Sequence, residues 1–348
     1  MLGTTRRVAI FLNLETLMTA PHLLPVDRAE ITVLMDNVTD SLSSAPDYVT
    51  KEWDMLRLAG MKTLAGSCQC CANHGLSLLL KTWRGEQMQT VLFDAGPAEE
   101  TLAYNIQRLG IDMGDIDAVV LSHGHWDHGG GLPAAFKMIH QARPGRAPVP
   151  CYLHPGMFVQ RAIPRPMGGV LPIQTPPTPD ELRAVGALPI LGTEPQVLLE
   201  GHVYLSGEIP RRSEFERGFR GHVRLDDQGQ WVPDPLIMDE RYLAFNVQGL
   251  GLFAFSACSH AGIVNVALDM RERFAGQTLH GVMGGFHLSG ANESVIQDTV
   301  KALAQFDMAM LAPGHCTGWR AVSALAAGLG EDKIVPTAVG QRYVLQAR

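Results

Sequence analysis

The sequence of 348 residues has few cysteines, no excess of positive charge and no long apolar run. Six cysteines, three of them clustered at Cys68, Cys70 and Cys71, are too few for a disulfide framework and favour a reducing, cytoplasmic setting. The 28 basic and 35 acidic residues give a net charge of −7, which argues against binding of nucleic acid through a broad basic face. No segment reaches the roughly 20 apolar residues that a membrane span needs, so we expect no membrane partner.

The N-terminal segment partly resembles a signal for protein export. Arg6 and Arg7 followed by an apolar stretch are similar to a twin-arginine signal, but Asn13 and Glu15 interrupt that stretch. We therefore interpret residues 1–29 as a short N-terminal extension and expect a cytoplasmic protein.

Residues 30–348 read as one domain. Short apolar runs that end in Gly, Asn or Asp alternate with helical patterns, as at 90–96 followed by 98–109. Between 148 and 236 prolines and glycines are frequent and periodicity is poor, which predicts a long irregular insertion that covers the site. Two strand-rich halves, each followed by helices, predict an α/β (α+β) fold, a four-layer αββα sandwich with its site at the strand ends.

The most informative segment is SHGHWDHGGG, residues 122–131. It places three histidines and an aspartate within six residues, and imidazole and carboxylate are common ligands of transition metals. His123 and His125, at the end of a predicted strand, are expected to share one ion, while Asp127 and His128 face a second. We predict two divalent transition-metal ions, zinc before iron or manganese.

The string HGHWDH resembles the H-x-H-x-D-H signature of the metallo-β-lactamase superfamily. The resemblance implies the αββα fold and a metal-dependent enzyme. Asp94 in LFDAG is similar to an aspartate that braces the metal loop of the superfamily, and an ordinary turn aspartate is the alternative. His315 in APGHCTG looks like the final metal-binding histidine.

A closer resemblance links the chain to one branch of the superfamily, the dihydropterin-ribofuranosyl-aminobenzene phosphate synthase-like proteins. Six segments carry it: LMDN (34–37), HGLS (74–77), SGEIPR (206–211), ACSHAGIVN (257–265), GGFHL (284–288) and PGHCTG (313–318). The resemblance implies a pterin-like or phosphorylated substrate, which neither composition nor spacing shows by itself.

The chain departs from the wider superfamily where most members supply a bridging aspartate. The corresponding strand here ends in Cys258-Ser259-His260, and both cysteine and histidine are competent ligands. We favour His260 as the ligand because imidazole withstands oxygen better than an exposed thiolate. Cys258 would then lie beside the metals, or be a small buried residue.

Several further residues are candidates with a plain structural alternative. His287, His74 and Arg211 are candidate substrate-binding residues. Arg212 and Arg217 join Arg211 as candidates for holding an anionic substrate, and a solvated charged face is the alternative for all three. Among the lone histidines, His154 has least support. Cys68, Cys70 and Cys71 together with His74 do not have the spacing of a standard zinc ribbon, although a second metal site is the functional alternative there.

The first functional hypothesis is a hydrolase that acts on a small molecule. Two metal ions ~3.5–4 Å apart lower the pKa of a bridging water toward ~7, and Asp127 is the candidate catalytic residue that orients the nucleophile and relays a proton. A di-iron redox protein with the same ligands is one alternative, and the lack of a flavin-binding unit argues against it. A ligand-binding protein with little catalysis is another, and the intact metal signature argues against that. The sequence does not determine the oligomeric state, and both a monomer and a homo-oligomer are compatible with it.

Overall fold

The computed structural model describes residues 21–219 and 221–347. In chain order its strands are β1 (Pro25–Val26), β2 (Arg28–Met35), β3 (Val49–Thr50), β4 (Ser77–Arg84), β5 (Gln87–Phe93), β6 (Ala118–Val120), β7 (Val149–Leu153), β8 (Arg161–Pro164), β9 (Val170–Pro172), β10 (Ala187–Leu191), β11 (Gln196–Leu198), β12 (Val203–Leu205), β13 (Val223–Leu225), β14 (Trp231–Pro233), β15 (Leu243–Val247), β16 (Gly251–Ser256), β17 (Leu279–Gly285), β18 (Met310–Gly314) and β19 (Arg342–Gln346). Its α-helices are α1 (Glu52–Leu58), α2 (Glu99–Arg108), α3 (Trp126–Gly129), α4 (Leu132–Ala142), α5 (Pro179–Ala184), α6 (Ile263–Arg273), α7 (Ile296–Leu303) and α8 (Trp319–Leu329).

Two large sheets form the centre of the described structure. One has eight strands in the order β10-β7-β6-β5-β4-β2-β19-β3, and the other has seven, in the order β11-β12-β15-β16-β17-β18 with β1 beside β15. Successive side chains of a strand point to opposite faces of its sheet. In β5, Val91 and Phe93 therefore enter the core between the sheets, whereas Leu92 enters the core on the outer face.

The outer face of each sheet is covered by helices. Helices α1, α2 and α4 pack on the eight-stranded sheet through a cluster that includes Leu56, Leu102 and Phe136. Helices α6, α7 and α8 pack on the seven-stranded sheet through a cluster that includes Val266 and Leu325. The predicted four-layer αββα sandwich is confirmed, because each apolar sheet face is buried against the other sheet or against helices.

The predicted insertion, 148–236, contains more regular structure than the sequence indicated. β7 and β10 belong to the eight-stranded sheet, and β11 and β12 belong to the seven-stranded one. Only β8, β9, β13 and β14 form a separate small sheet. The eight strands within 148–236 have three to five residues each, too few to show a clear periodicity in the sequence.

The N-terminal segment also joins the sandwich within its described part. β1 pairs in parallel with β15, and β2 begins at Arg28, two residues before the predicted domain start. The twin-arginine interpretation concerns Arg6 and Arg7, which lie outside the described residues. Within the described ranges, no helix combines the length and the apolar character needed to cross a membrane.

The two sheets bring the ends of several strands to one edge. β5 and β6 are parallel neighbours, and β16, β17 and β18 are parallel neighbours in the other sheet. Because the carboxyl ends of parallel strands meet at the same edge, the loops after these strands converge there. These loops carry the candidate site residues.

Candidate metal centre

Asp94, directly after β5, holds the loop that follows β6. One carboxylate oxygen accepts the backbone N–H of Ser122 at 2.7 Å, and the other contacts both the Ser122 hydroxyl and His128 Nδ1 at 2.7 Å. Asp94 is fully buried and has a φ of 59°, a conformation that aspartate tolerates better than most residues. The structure therefore places Asp94 where a brace of the metal loop would lie, behind the ligands and not among them.

Close packing of the HGLS segment against the same loop requires a glycine. Gly75 has a φ of 154°, and a Cβ there would lie 2.3 Å from the carbonyl oxygen of Asp127. His74 is thereby brought to the edge of the loop that carries Asp127.

The first group of converging side chains consists of His123, His125 and His260. His123 Nε2 lies 3.0 Å from His125 Nδ1, which in turn lies 3.1 Å from His260 Nε2. All three rings are buried. The first two come from the motif loop, and the third comes from the loop after β16, so the group forms across the two sheets.

The second group surrounds the carboxylate of Asp127. Its Oδ2 lies 3.4 Å from the Nε2 atoms of His315 and His74 and 3.8 Å from that of His128. His315, which follows β18, and His128 are buried, whereas the side chain of His74 is 56% exposed and forms part of the cavity wall.

Cys258 lies between the two groups. Its thiol belongs to one cluster of potential ligands with His123 and His128 and to another with His315 and Cys316. The Sγ atoms of Cys258 and Cys316 are 3.2 Å apart, and His287 Nδ1 is 3.4 Å from Cys258 Sγ. The structure thus places both strand-end candidates, Cys258 and His260, at the centre.

Burial and charge set the protonation states of these groups in the protein alone. Burial lowers the pKa of His123, His125 and His260 well below the ordinary value, so their rings are neutral. Burial also opposes the charged form of His128, but the Asp127 and Asp94 carboxylates outweigh it and raise the pKa of His128 to about 9.

The donor set fits a divalent metal centre. His123 donates from Nδ1 toward the Ser122 hydroxyl, whose own proton goes to Asp94, so its Nε2 lone pair points at the other rings. Nε2 of His128 and of His315 is buried without a hydrogen-bond partner among the described residues. Buried polar atoms without partners are unfavourable, and a metal cation between these nitrogens would satisfy them, replacing the Nε2 proton of His128. His123, His125 and His260 would hold one ion, and Asp127, His128 and His315 the other.

A cavity of about 540 Å³ opens over both groups. Trp126, Ile163, Ile173 and Phe219 give it apolar and aromatic walls, and no Lys or Arg side chain of the described residues lines it. His287 lines it too, with its ring 5.0 Å from that of Phe219. The space suits a small organic molecule that reaches the two groups with one end.

Several predicted residues are not brought to the cavity. Arg211 donates to the carbonyl oxygens of Ile209 and Leu236 and does not line the cavity, so its role in substrate binding stays a prediction. Arg212 pairs with Glu272. Arg217 lies outside the main cavity.

Of the remaining candidates, His154 has a structural role, and the geometry shows no role for the three clustered cysteines. His154 Nδ1 accepts the backbone N–H of Gly156 and caps a short helical turn. Within the described ranges, no cluster of potential metal ligands includes Cys68, Cys70 or Cys71, and Cys71 is exposed.

Sequence reasoning missed three residues of the site. Cys316 directly follows His315, a predicted ligand, and this adjacency could have identified it as a residue of the site. Asn37, quoted only as part of LMDN, contacts both His74 and His315. His222 is buried with its ring 4.7 Å from that of His125, and it lies in a stretch without periodicity that offered no signal.

Comparisons with known proteins agree with this fold. The family model described as the metallo-beta-lactamase superfamily matches residues 75–206. The chain is 29% identical over 263 residues to 7,8-dihydropterin-6-methyl-4-(beta-D-ribofuranosyl)-aminobenzene-5'-phosphate synthase of Methanocaldococcus jannaschii, which covers 75% of this chain and 86% of the relative.

Two solved structures share the fold. Tm1679, a metal-dependent hydrolase of the beta-lactamase superfamily, superposes with a TM-score of 0.67 at 22% identity, covering 92% of this chain and all of that one. YhfI of Bacillus subtilis, a metallo-beta-lactamase fold protein, gives 0.50 at 12% identity with the same coverage. The chain thus shares the fold of these structures and is similar to the metallo-beta-lactamase superfamily over residues 75–206.

Proposed function

We propose that the protein is a hydrolase with two divalent metal ions that acts on a small organic substrate with a phosphorylated or pterin-like part. The observation that carries the proposal is the pair of ligand groups, three imidazoles on one side and Asp127 with two imidazoles on the other, at the floor of one cavity. Zinc is the first choice because these are mostly nitrogen donors, with iron or manganese as the alternatives.

When bound, the two ions supply Lewis-acid polarisation of the substrate and a water acidic enough to attack at neutral pH. The chain itself supplies a proton acceptor and the binding surface. Asp127, at the centre of the second group, is placed to orient the attacking water and to carry its proton to the leaving group. Phe219 and Trp126 offer apolar faces to a ring of the substrate and exclude water from it.

The relative's name supports a second candidate, a synthase reaction in which an organic acceptor replaces water. The specific observation is the identity of 29% across 86% of that relative. Both candidates need the same metal ligands and differ in what attacks the substrate.

The test begins with protein purified without chelator. We expect close to two transition-metal ions per chain, and hydrolysis of at least one member of a panel of phosphomonoesters, phosphodiesters, thioesters and lactones. The His123→Gln variant should lose metal and activity, while His140→Gln, on the exposed side of α4, serves as the matched control.

Product analysis in ¹⁸O-labelled water separates the two candidates. A hydrolase places the label in the product, whereas a synthase reaction with an added aromatic amine leaves it out. Traces of metal only, or two bound ions without turnover of any panel member, would contradict the proposed hydrolase.

A further inference from the structure

The side-chain amide of Asn37 has an orientation that two backbone groups fix. Its Oδ1 accepts the N–H of Gly75 at 3.1 Å, and its Nδ2 donates to the carbonyl oxygen of His315 at 3.1 Å. A backbone N–H only donates and a carbonyl only accepts, so the amide oxygen and nitrogen cannot be exchanged.

The same two atoms contact two histidine rings. Oδ1 lies 3.0 Å from His315 Nδ1, and Nδ2 lies 3.2 Å from His74 Nδ1. Because Oδ1 only accepts, His315 Nδ1 must carry a proton. Because Nδ2 only donates, His74 Nδ1 must present a lone pair. A neutral imidazole has one N–H, so the two rings are held in opposite tautomers.

The consequence for His315 is a free lone pair on Nε2, the arrangement that metal-binding histidines usually have. His123 shares it, since its Nδ1 contacts Ser122, and in His128, whose Nδ1 contacts Asp94, a bound cation would replace the Nε2 proton. His74 differs from these three: its Nε2 carries the proton, 3.4 Å from Asp127 Oδ2, on a half-exposed ring beside Trp126.

We propose that Asn37 assigns different roles to the two histidines: His315 binds metal through Nε2, and His74 is not a ligand but presents its Nε2–H to the cavity as a hydrogen-bond donor for a negatively charged oxygen of the substrate. His74, Asp127 and His315 lie close enough together to hold an ion, but a protonated Nε2 cannot be a ligand. The contact with substrate rests on the proposed function, whereas the tautomers do not.

His74 also gives the cavity a hydrogen-bond donor for an anionic oxygen. No Lys or Arg side chain among the described residues lines it, so an anionic oxygen there depends on the metals and on neutral donors. A hydrogen bond to a charged oxygen is stronger than one between neutral groups. His74 is thus a substrate-contacting residue and Asn37 a positioning residue.

The direct test is the tautomer of each ring in the zinc-loaded protein. Long-range ¹H–¹⁵N spectra of ¹⁵N-histidine-labelled protein at pH 8 report which ring nitrogen carries the proton. We expect Nε2–H for His74, and Nδ1–H with a metal-bound Nε2 for His315, with the signals assigned from His74→Gln and His315→Gln. A proton on His74 Nδ1, or a metal-bound His74 Nε2, overturns the proposal.

The variant Asn37→Asp tests whether Asn37 sets the tautomer of His74. A carboxylate accepts from both rings, so His74 should switch to the Nδ1–H tautomer while His315 keeps its own. An unchanged His74 tautomer in the folded variant overturns the role of Asn37. If the variant does not fold, the wild-type spectrum still decides the tautomers.

Inorganic phosphate is the probe for the donor role. In calorimetric titration of the zinc-loaded protein, His74→Ala and Asn37→Asp should each raise the Kd of phosphate about 10-fold, with two ions per chain retained. Loss of one ion in His74→Ala shows that His74 is a ligand and overturns the proposal, as does an unchanged Kd. None of these measurements needs turnover, so a failure of the proposed hydrolase remains distinguishable.

Discussion

Glu240 holds the backbone of the residue that completes the first metal group, His260. One carboxylate oxygen of Glu240 accepts the N–H of His260 at 2.8 Å, and the other accepts that of Ala261 at 2.6 Å. The carboxylate is fully buried, and Ser259 before it has a φ of 56°. The turn that brings His260 to His123 and His125 therefore depends on a buried carboxyl group from a different segment.

Glu240→Gln should weaken binding of the first ion without removing a ligand. An amide can accept one of the two N–H groups but opposes the other with its own donor, so the turn shifts. Loss of a partner of this kind typically costs 10–100-fold in metal affinity, which competition with a chelator measures. Glu86→Gln, in the exposed turn between β4 and β5, is the control, and equal affinity in both variants would contradict the role of Glu240.

Asp127→Asn should retain the fold and the first ion and lose nearly all turnover. The change removes a charge at the second ion and the group placed to relay the proton, and loss of such a group costs about 10²–10⁴-fold in rate. Metal analysis together with kcat on the best panel substrate measures both effects. An active variant with unchanged metal content would remove Asp127 from the mechanism.

The two strand-end candidates have different expected effects. His260→Ala should lower metal occupancy and abolish activity, because its Nε2 completes the first group. Cys258→Ser should keep at least one ion and some activity, because three imidazoles of the first group remain. If Cys258→Ser instead strips both ions while His260→Ala keeps them, the centre is thiolate-bridged.

Stability of the chelator-treated protein should fall as the pH falls below about 6.5. Burial holds the pKa of His123, His125 and His260 well below the ordinary value, so only the unfolded chain takes up protons there. Their contribution is complete above pH ~6.5 and is lost below it, by about 1.4 kcal/mol per pH unit and histidine.

Urea unfolding between pH 7 and pH 5 measures this loss. His123→Gln should reduce the slope by about one histidine's share, ~1.4 kcal/mol per pH unit. A free energy of unfolding that stays constant over this range would show that these rings are protonated in the folded protein.

Much of the fold could be predicted because its signals are local. The helix predicted at 98–109 is α2 (Glu99–Arg108), and the strand predicted at 90–96 is β5, shifted by three residues. The small strands within 148–236 could not be predicted, because a pairing between distant segments stabilises them and not their own pattern.

The sequence by itself determined the ligand types and the loop that carries most of them, because His123, His125, Asp127 and His128 lie within six residues and need only one turn to converge. Only the tertiary structure decided how the others join them. Asn37 and His315 are 278 residues apart, and their contact exists because β2 and β18 end at the same edge of two packed sheets. Side-chain direction is a property of that packing, which is why Arg211 turned away from the cavity while Cys316, His222 and Asn37 entered the site.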